Sequence, residues 1–283
     1  MKKILYSTAL LIILGTLGLY GIGSYLTKSH HVKISLKQVN LPLKDVTFES
    51  KSRSLISGWF LQGKADKGGV LLMHGVKSNR LEMLKRAEFL FREGYSVLLF
   101  DFQGHGESGG NNITFGYLES LDANAAYAFL ENKLTKKSIG IIGVSLGGAS
   151  ALLGESGKRC QALILESVYP TLDEAINDRL KIYFGDAGKY LTPLLTYQLK
   201  PRLNFKSSDL KPIEHIAKVT CPLFILAGEN DQRTTLAESE RLFSKANEPK
   251  QIWAVKDAGH VNYNNLKPKE YKKRVLEFFN KNL

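Results

Sequence analysis

The sequence predicts an α/β fold: a mostly parallel sheet with helices on both faces. Two patterns carry this. Apolar runs without alternation recur along the chain, which suits strands buried on both faces. Helical patterns separate those runs, and strands alternating with helices imply a doubly wound sheet. The composition agrees: 283 residues, 43% hydrophobic and 23% charged, with 25 Gly and 8 Pro, make an ordinary globular chain rather than a disordered or collagen-like one.

Met1-Lys2-Lys3 is followed by 24 uncharged residues, Ile4 to Thr27. About 20 apolar residues span a bilayer as a helix, so residues 1–27 are expected to be a membrane anchor or uncleaved signal. The alternative is a cleaved secretory signal, but its apolar core runs only about 7–15 residues and ends in an A-x-A site, which is missing here. Lysines stand on both sides, Lys2 and Lys3 against Lys28, Lys33 and Lys37, and the likeness to an export signal places the amino terminus inside and the domain on the outer, extracytoplasmic side. Residues 28–44 read as a polar tether, and residues 45–283 as the folded domain. Such an anchor would be detachable, so removing residues 1–27 is expected to leave activity on soluble substrates intact.

Val46–Ser50 and Leu55–Gln62 alternate as two antiparallel strands. Buried strands follow at Gly69–Gly75, Ser96–Phe102, Ser138–Ser145, Ala162–Ser167 and Pro222–Gly228, with a shorter one at Gln251–Val255. Helical patterns cover Arg80–Glu93, Phe115–Lys133, Leu146–Gly154, Leu236–Ala246 and Pro268–Phe279. An insert at residues 168–212 breaks this rhythm. It carries Tyr169, Tyr183, Phe184, Tyr190, Tyr197 and Phe205, and reads as a lid with an apolar mouth.

The net charge of +12 includes five lysines in the first 40 residues, where no acid stands. No run of five or six like charges and no zinc-finger or aromatic RNA-binding signature accompanies it, so no nucleic-acid partner is expected. Two cysteines exclude a Cys-rich zinc module. Cys160 and Cys221 precede two strands at matching positions, which places them about 5 Å apart if those strands are neighbours.

The chemistry centres on Gly143-Val144-Ser145-Leu146-Gly147. This G-x-S-x-G ends an apolar strand and opens a small-residue helix, the strand–turn–helix setting that exposes a nucleophilic serine. The glycines are needed because larger neighbours would clash at so sharp a turn. A serine hydroxyl needs a base, and the base needs an acid to orient it; in this motif class they follow in the order Ser, Asp or Glu, then His. Four of the six histidines (His30, His31, His74, His105) precede Ser145, and His215 leads into a strand. His260 remains, on a loop after the last strand. Asp231 projects from the end of the strand PLFILAG, with Asp257 and Glu229 as rivals for the acid. Oxyanion donors are expected at the N–H groups of Leu146 and of Val76 in the loop HGVKSN. His74 reads as a packing and hydrogen-bonding residue.

With HGVKSNR, DFQGHGES, GVSLGG, AGENDQRT and DAGH in this order, residues 45–283 resemble the α/β-hydrolase superfamily. The chain is most similar to its membrane-anchored, monoacylglycerol-lipase-like and serine-aminopeptidase-like members. The resemblance implies eight strands with the second antiparallel, a cap at 168–212, a triad of Ser145, Asp231 and His260, and no cofactor or metal. The implied activity is serine hydrolysis, foremost of a small-molecule carboxylic ester; the anchor and the insert's aromatics, rather than the resemblance, add the membrane as partner and point to short-to-medium acyl or lipid-like esters. Peptidase, thioesterase and non-catalytic membrane-tethered binding protein are the alternatives. Dehalogenases of this superfamily carry an acid at the elbow, so Ser145 argues against that chemistry.

Overall fold

Eight strands form one mixed sheet in the computed structural model, which describes residues 2–35, 41–135 and 137–283, without the side chains of residues 2–5, 8, 9, 11 and 12. Along the chain come α1 (Lys2–Thr27), β1 (His30–His31), β2 (Lys44–Glu49), β3 (Leu55–Leu61), β4 (Gly69–Met73), α2 (Leu84–Arg92), β5 (Ser96–Phe100), β6 (His105–Gly106), α3 (Glu119–Leu134) and β7 (Ile139–Val144). Then follow α4 (Leu146–Leu153), α5 (Ser156–Arg159), β8 (Ala162–Glu166), α6 (Leu172–Phe184), α7 (Thr192–Thr196), α8 (Leu199–Leu203) and α9 (Pro212–His215). The chain closes with β9 (Leu223–Gly228), α10 (Leu236–Lys245), β10 (Lys250–Val255), α11 (Tyr263–Leu266) and α12 (Pro268–Asn282).

The order across the large sheet is β10-β9-β8-β7-β4-β5-β3-β2. β3 runs antiparallel to both β2 and β5, and every other pairing is parallel. The unalternating runs became the central strands because both faces are covered. Within them successive residues still split between faces. Leu71, Leu98, Ile141, Leu163 and Ile225 enter a core with α3 and α4, whereas Leu72, Leu99, Ile142, Ile164 and Phe224 enter one with α2 and α12.

α3 starts at Glu119, four residues later than the periodicity predicts. The Glu119 carboxylate accepts from the N–H groups of Thr114 and Gly116 and from the Thr114 hydroxyl, folding 114–116 into a turn where Phe115 has φ 53°. Cys160 and Cys221 are neighbours as expected, with buried free thiols whose sulfurs lie 3.3 Å apart.

Two observations bear on the N-terminal expectations. Among the described residues no helix is long and apolar enough to cross a membrane, so a transmembrane helix over 4–27 is not shown; Met1 and several side chains of that stretch lie outside the described set. The tether is also more fastened than its polarity suggested. β1 pairs in parallel with β6, His30 and Val32 N–H groups donate to the Gly104 and Gly106 carbonyls, and Lys28 bridges Asn112. Residues 36–40 of the tether lie outside the described residues.

One buried ion pair sets the position of the site. Arg86, fully buried on α2, donates to both carboxylate oxygens of Glu166 at 3.1 and 2.6 Å and to the Tyr271 hydroxyl at 2.9 Å. Burial alone would lower the guanidinium's pKa, but Glu166 and Tyr271 more than offset it and hold Arg86 charged. The Glu166 carbonyl at the end of β8 in turn accepts the Ser145 N–H at 2.8 Å. Arg86→Met would leave a buried carboxylate without its cation, at a cost of about 3–5 kcal/mol. The expected result in chemical denaturation is a midpoint far below wild type, partly restored by adding Glu166→Gln. A single-variant midpoint equal to wild type would refute this role.

Candidate active site

Ser145 stands between β7 and α4 with φ 47° and ψ −108°, a strained conformation for a residue with a side chain. The flanking glycines make the turn possible. A Cβ on Gly143 would come within 2.5 Å of the Gly148 nitrogen, and one on Gly147 within 2.4 Å of the Met73 carbonyl. The Ser145 residue is 2% exposed, and its hydroxyl has no hydrogen-bond partner among the described residues. The structure therefore does not join it to His260 by a hydrogen bond.

Asp231 and His260 are brought together. They follow β9 and β10, and the His260 Nδ1 lies 2.8 Å from Asp231 Oδ2. The second carboxylate oxygen, Oδ1, accepts the N–H groups of Arg233 and Thr234 at 2.8 and 3.1 Å. Burial alone would raise the Asp231 pKa; the bond from His260 and these two N–H groups instead carry it below the usual carboxylate range. The two loops are locked by the Asn230 N–H to the Ala258 carbonyl, and Gly228 lets them close: a Cβ there would meet that carbonyl at 2.4 Å. Asp257 and Glu229, the rival acids, are both exposed.

The loop after β4 lies against the serine, since a Cβ on Gly75 would stand 3.9 Å from Ser145 Cβ. Among the described residues, the N–H groups of Val76 and Leu146 donate to no other group. The neighbouring Gly75 N–H is held by Glu82 at 3.0 Å.

Sequence reasoning missed how this loop is held. The His74 Nε2 accepts the Phe102 N–H and the His105 Nε2 accepts the Lys77 N–H, each at 3.1 Å, while the Nδ1 atoms donate to the Gly75 and Gln103 carbonyls. A ring nitrogen that accepts must be unprotonated, so both imidazoles are neutral in the fold. Burial agrees, pushing each pKa from 6.5 down to about 4. Unfolded, they bind protons near 6.5, so stability is expected to fall as pH drops from 6.5 towards 4. His105→Gln keeps an acceptor that does not titrate, and should flatten the dependence of the thermal midpoint between about pH 7 and 5. An unchanged slope would contradict this.

Lys77, at φ 54°, links the loop to α1. Its ammonium donates to the Tyr25 carbonyl at 3.1 Å and sits 3.6 Å from the centre of the Tyr25 ring. Through these contacts α1 touches the loop that carries Val76. No signal in the sequence marked Tyr25 as a partner of this loop.

The expected mouth of aromatics does not form. Tyr169 and Phe205 are buried, and Tyr183, Phe184, Tyr190 and Tyr197 lie on the outer surface. No group of three or more His, Cys, Asp or Glu placed to hold a metal ion occurs among the described residues.

A model of the serine aminopeptidase, S33 family matches residues 64–211. The chain is 28% identical over 228 residues to the protein YqkD of Bacillus subtilis, covering 79% of this chain and 74% of that one. It is 26% identical to the α/β hydrolase domain-containing protein WAV2 of Arabidopsis thaliana, over 78% of this chain and 71% of that one. Among solved structures, the Pyrococcus furiosus esterase Pf2001 aligns with a TM-score of 0.72 and 28% identity, covering 90% of this chain and 98% of its own.

Proposed function

Because this chain belongs to the serine aminopeptidase, S33 family of α/β hydrolases, we propose that it is a serine hydrolase cleaving carboxylic esters through an acyl-enzyme. The observation that carries the reading is the 2.8 Å Asp231–His260 pair at the same sheet end as the strained Ser145. In this mechanism Ser145 attacks the ester carbonyl while His260 Nε2 takes its proton. Asp231 fixes the imidazole through Nδ1 and stabilises its positive form. The N–H groups of Val76 and Leu146 receive the oxyanion, helped by the amino end of α4. His260 then protonates the departing alcohol. A water, activated by the same imidazole, releases the acid and restores Ser145.

An esterase neighbour at 28% identity supports this substrate class. The family description favours a second reading, an aminopeptidase, which needs a free carboxylate to hold the substrate's amine. Three carboxylates of the site's framework have other work: Asp231 holds His260, Glu82 the Gly75 N–H and Glu166 Arg86. The test is a panel of p-nitrophenyl esters from acetate to laurate beside amino-acyl amides. Short-to-medium acyl esters should turn over fastest; faster cleavage of the amides would overturn the ester reading.

α1 is proposed as the membrane anchor, with the domain on the extracytoplasmic side and lipid-like esters within reach. Lys77 then acts as a positioning residue, holding the oxyanion loop against α1. Lys77→Met should lower kcat about tenfold with KM nearly unchanged, and Lys77→Arg should restore most of it. An unchanged kcat for the methionine variant would remove Lys77 from the account.

A further inference from the structure

The cap has two apolar faces, and only one is needed to fold it. Leu172, Leu199, Phe205 and Leu210 form its inner cluster, with Leu180 and Leu195 also buried. On the outer side Ile182, Tyr183, Phe184, Tyr190, Leu194 and Tyr197 are 44–82% exposed. Leu194 and Leu195 adjoin on α7, one bare and one buried, so the outer face is a separate surface rather than a loosely packed core. Of the 20 exposed large hydrophobic residues among the described ones, 14 lie on this cap face or on α1. Concentrated apolar surface of this kind marks an interaction site.

α1 and the cap are joined. The Gln198 side chain donates to the Leu19 carbonyl at 3.2 Å, and Arg202 donates to the Tyr20 carbonyl and the Ser24 hydroxyl at 2.6 and 2.7 Å while covering the Tyr20 ring. Gly23 permits the contact, since a Cβ there would strike Gln198 at 2.6 Å. Towards its amino end α1 leaves the domain: Leu10, Ile13, Leu14 and Leu17 are more than half exposed, and nothing stands within 4 Å of a Cβ on Gly15 or Gly18.

We propose that the outer face of the cap is a lipid-docking surface continuous with α1, so that the cap itself rests on the bilayer. This rests on the reading of α1 as a membrane anchor and goes beyond it. Charge selects lipid as the occupant. Residues 181–206 hold five cations, Lys181, Lys189, Lys200, Arg202 and Lys206, against the single acid Asp186. Tyrosines with a basic fringe are the composition that settles at the headgroup level of an anionic membrane.

The test uses the full chain in vesicles of phosphatidylcholine and phosphatidylglycerol with brominated acyl chains, which quench tryptophan on contact. Both native tryptophans, Trp59 and Trp253, are buried and give the background. Leu14→Trp reports on α1, Tyr197→Trp on the cap, and Lys273→Trp on exposed α12 as control. Quenching at 14 and 197 but not at 273 is the expected result. Quenching at 14 alone would overturn cap docking while leaving the anchor; quenching at neither 14 nor 197 would overturn both. In the same vesicles, Tyr183→Asp with Tyr197→Asp should slow hydrolysis of a vesicle-borne monoacyl ester about tenfold and leave a soluble ester unaffected. Equal rates on the vesicle-borne ester would refute the proposal independently.

Discussion

Ser145→Ala is expected to reduce kcat on a p-nitrophenyl ester by about 10⁴–10⁶-fold, because in the proposed mechanism Ser145 forms the acyl bond. The residual rate would come from substrate binding and the oxyanion donors alone. Folding should be preserved, since the hydroxyl makes no hydrogen bond within the described residues and alanine suits the close packing of the elbow. A thermal midpoint near wild type with activity lost is the required pair of results. Activity within tenfold of wild type would remove Ser145 as nucleophile.

The second large effect is expected at Asp231. Asp231→Asn retains the shape of the side chain but removes the charge that faces the imidazole, and its amide favours the wrong tautomer of His260. A loss in kcat of about 10⁴-fold follows. Asp257→Asn is the matched control. Asp257 is exposed and makes no bond to His260, so its substitution should change kcat by less than about threefold. Steady-state kinetics of the two variants decide the matter, and the reverse ranking would transfer the acid's role to Asp257.

The strands and the order of the site residues were legible because burial and chain order leave marks in one dimension. Runs such as VLLM and LILE are uninterrupted since helices cover both faces, and the structure buries every residue of β4, β5 and β8. Asp231 stood out by following a buried strand. Contacts that depend on distant segments left no such mark. Arg86 with Glu166 and Tyr271 spans three helices and strands far apart in sequence. Lys77 with Tyr25 joins residues 52 apart. The delayed start of α3 was hidden too, because Glu119 turns back on Thr114 by hydrogen bonding rather than by hydrophobic period. The aromatics of the cap showed an apolar segment, but a count of rings does not say which face they take. Only the packing of Leu195 and Leu199 inwards puts Tyr183 and Tyr197 outside.

The central claim is that Ser145 is an activated nucleophile served by His260. Its most direct test is covalent labelling of the full chain with a fluorophosphonate, followed by mass spectrometry of the digested protein. The account predicts one adduct, on the peptide containing Ser145, lost in Ser145→Ala and sharply reduced in His260→Ala. An adduct on another serine, or equal labelling of Ser145→Ala, would contradict it.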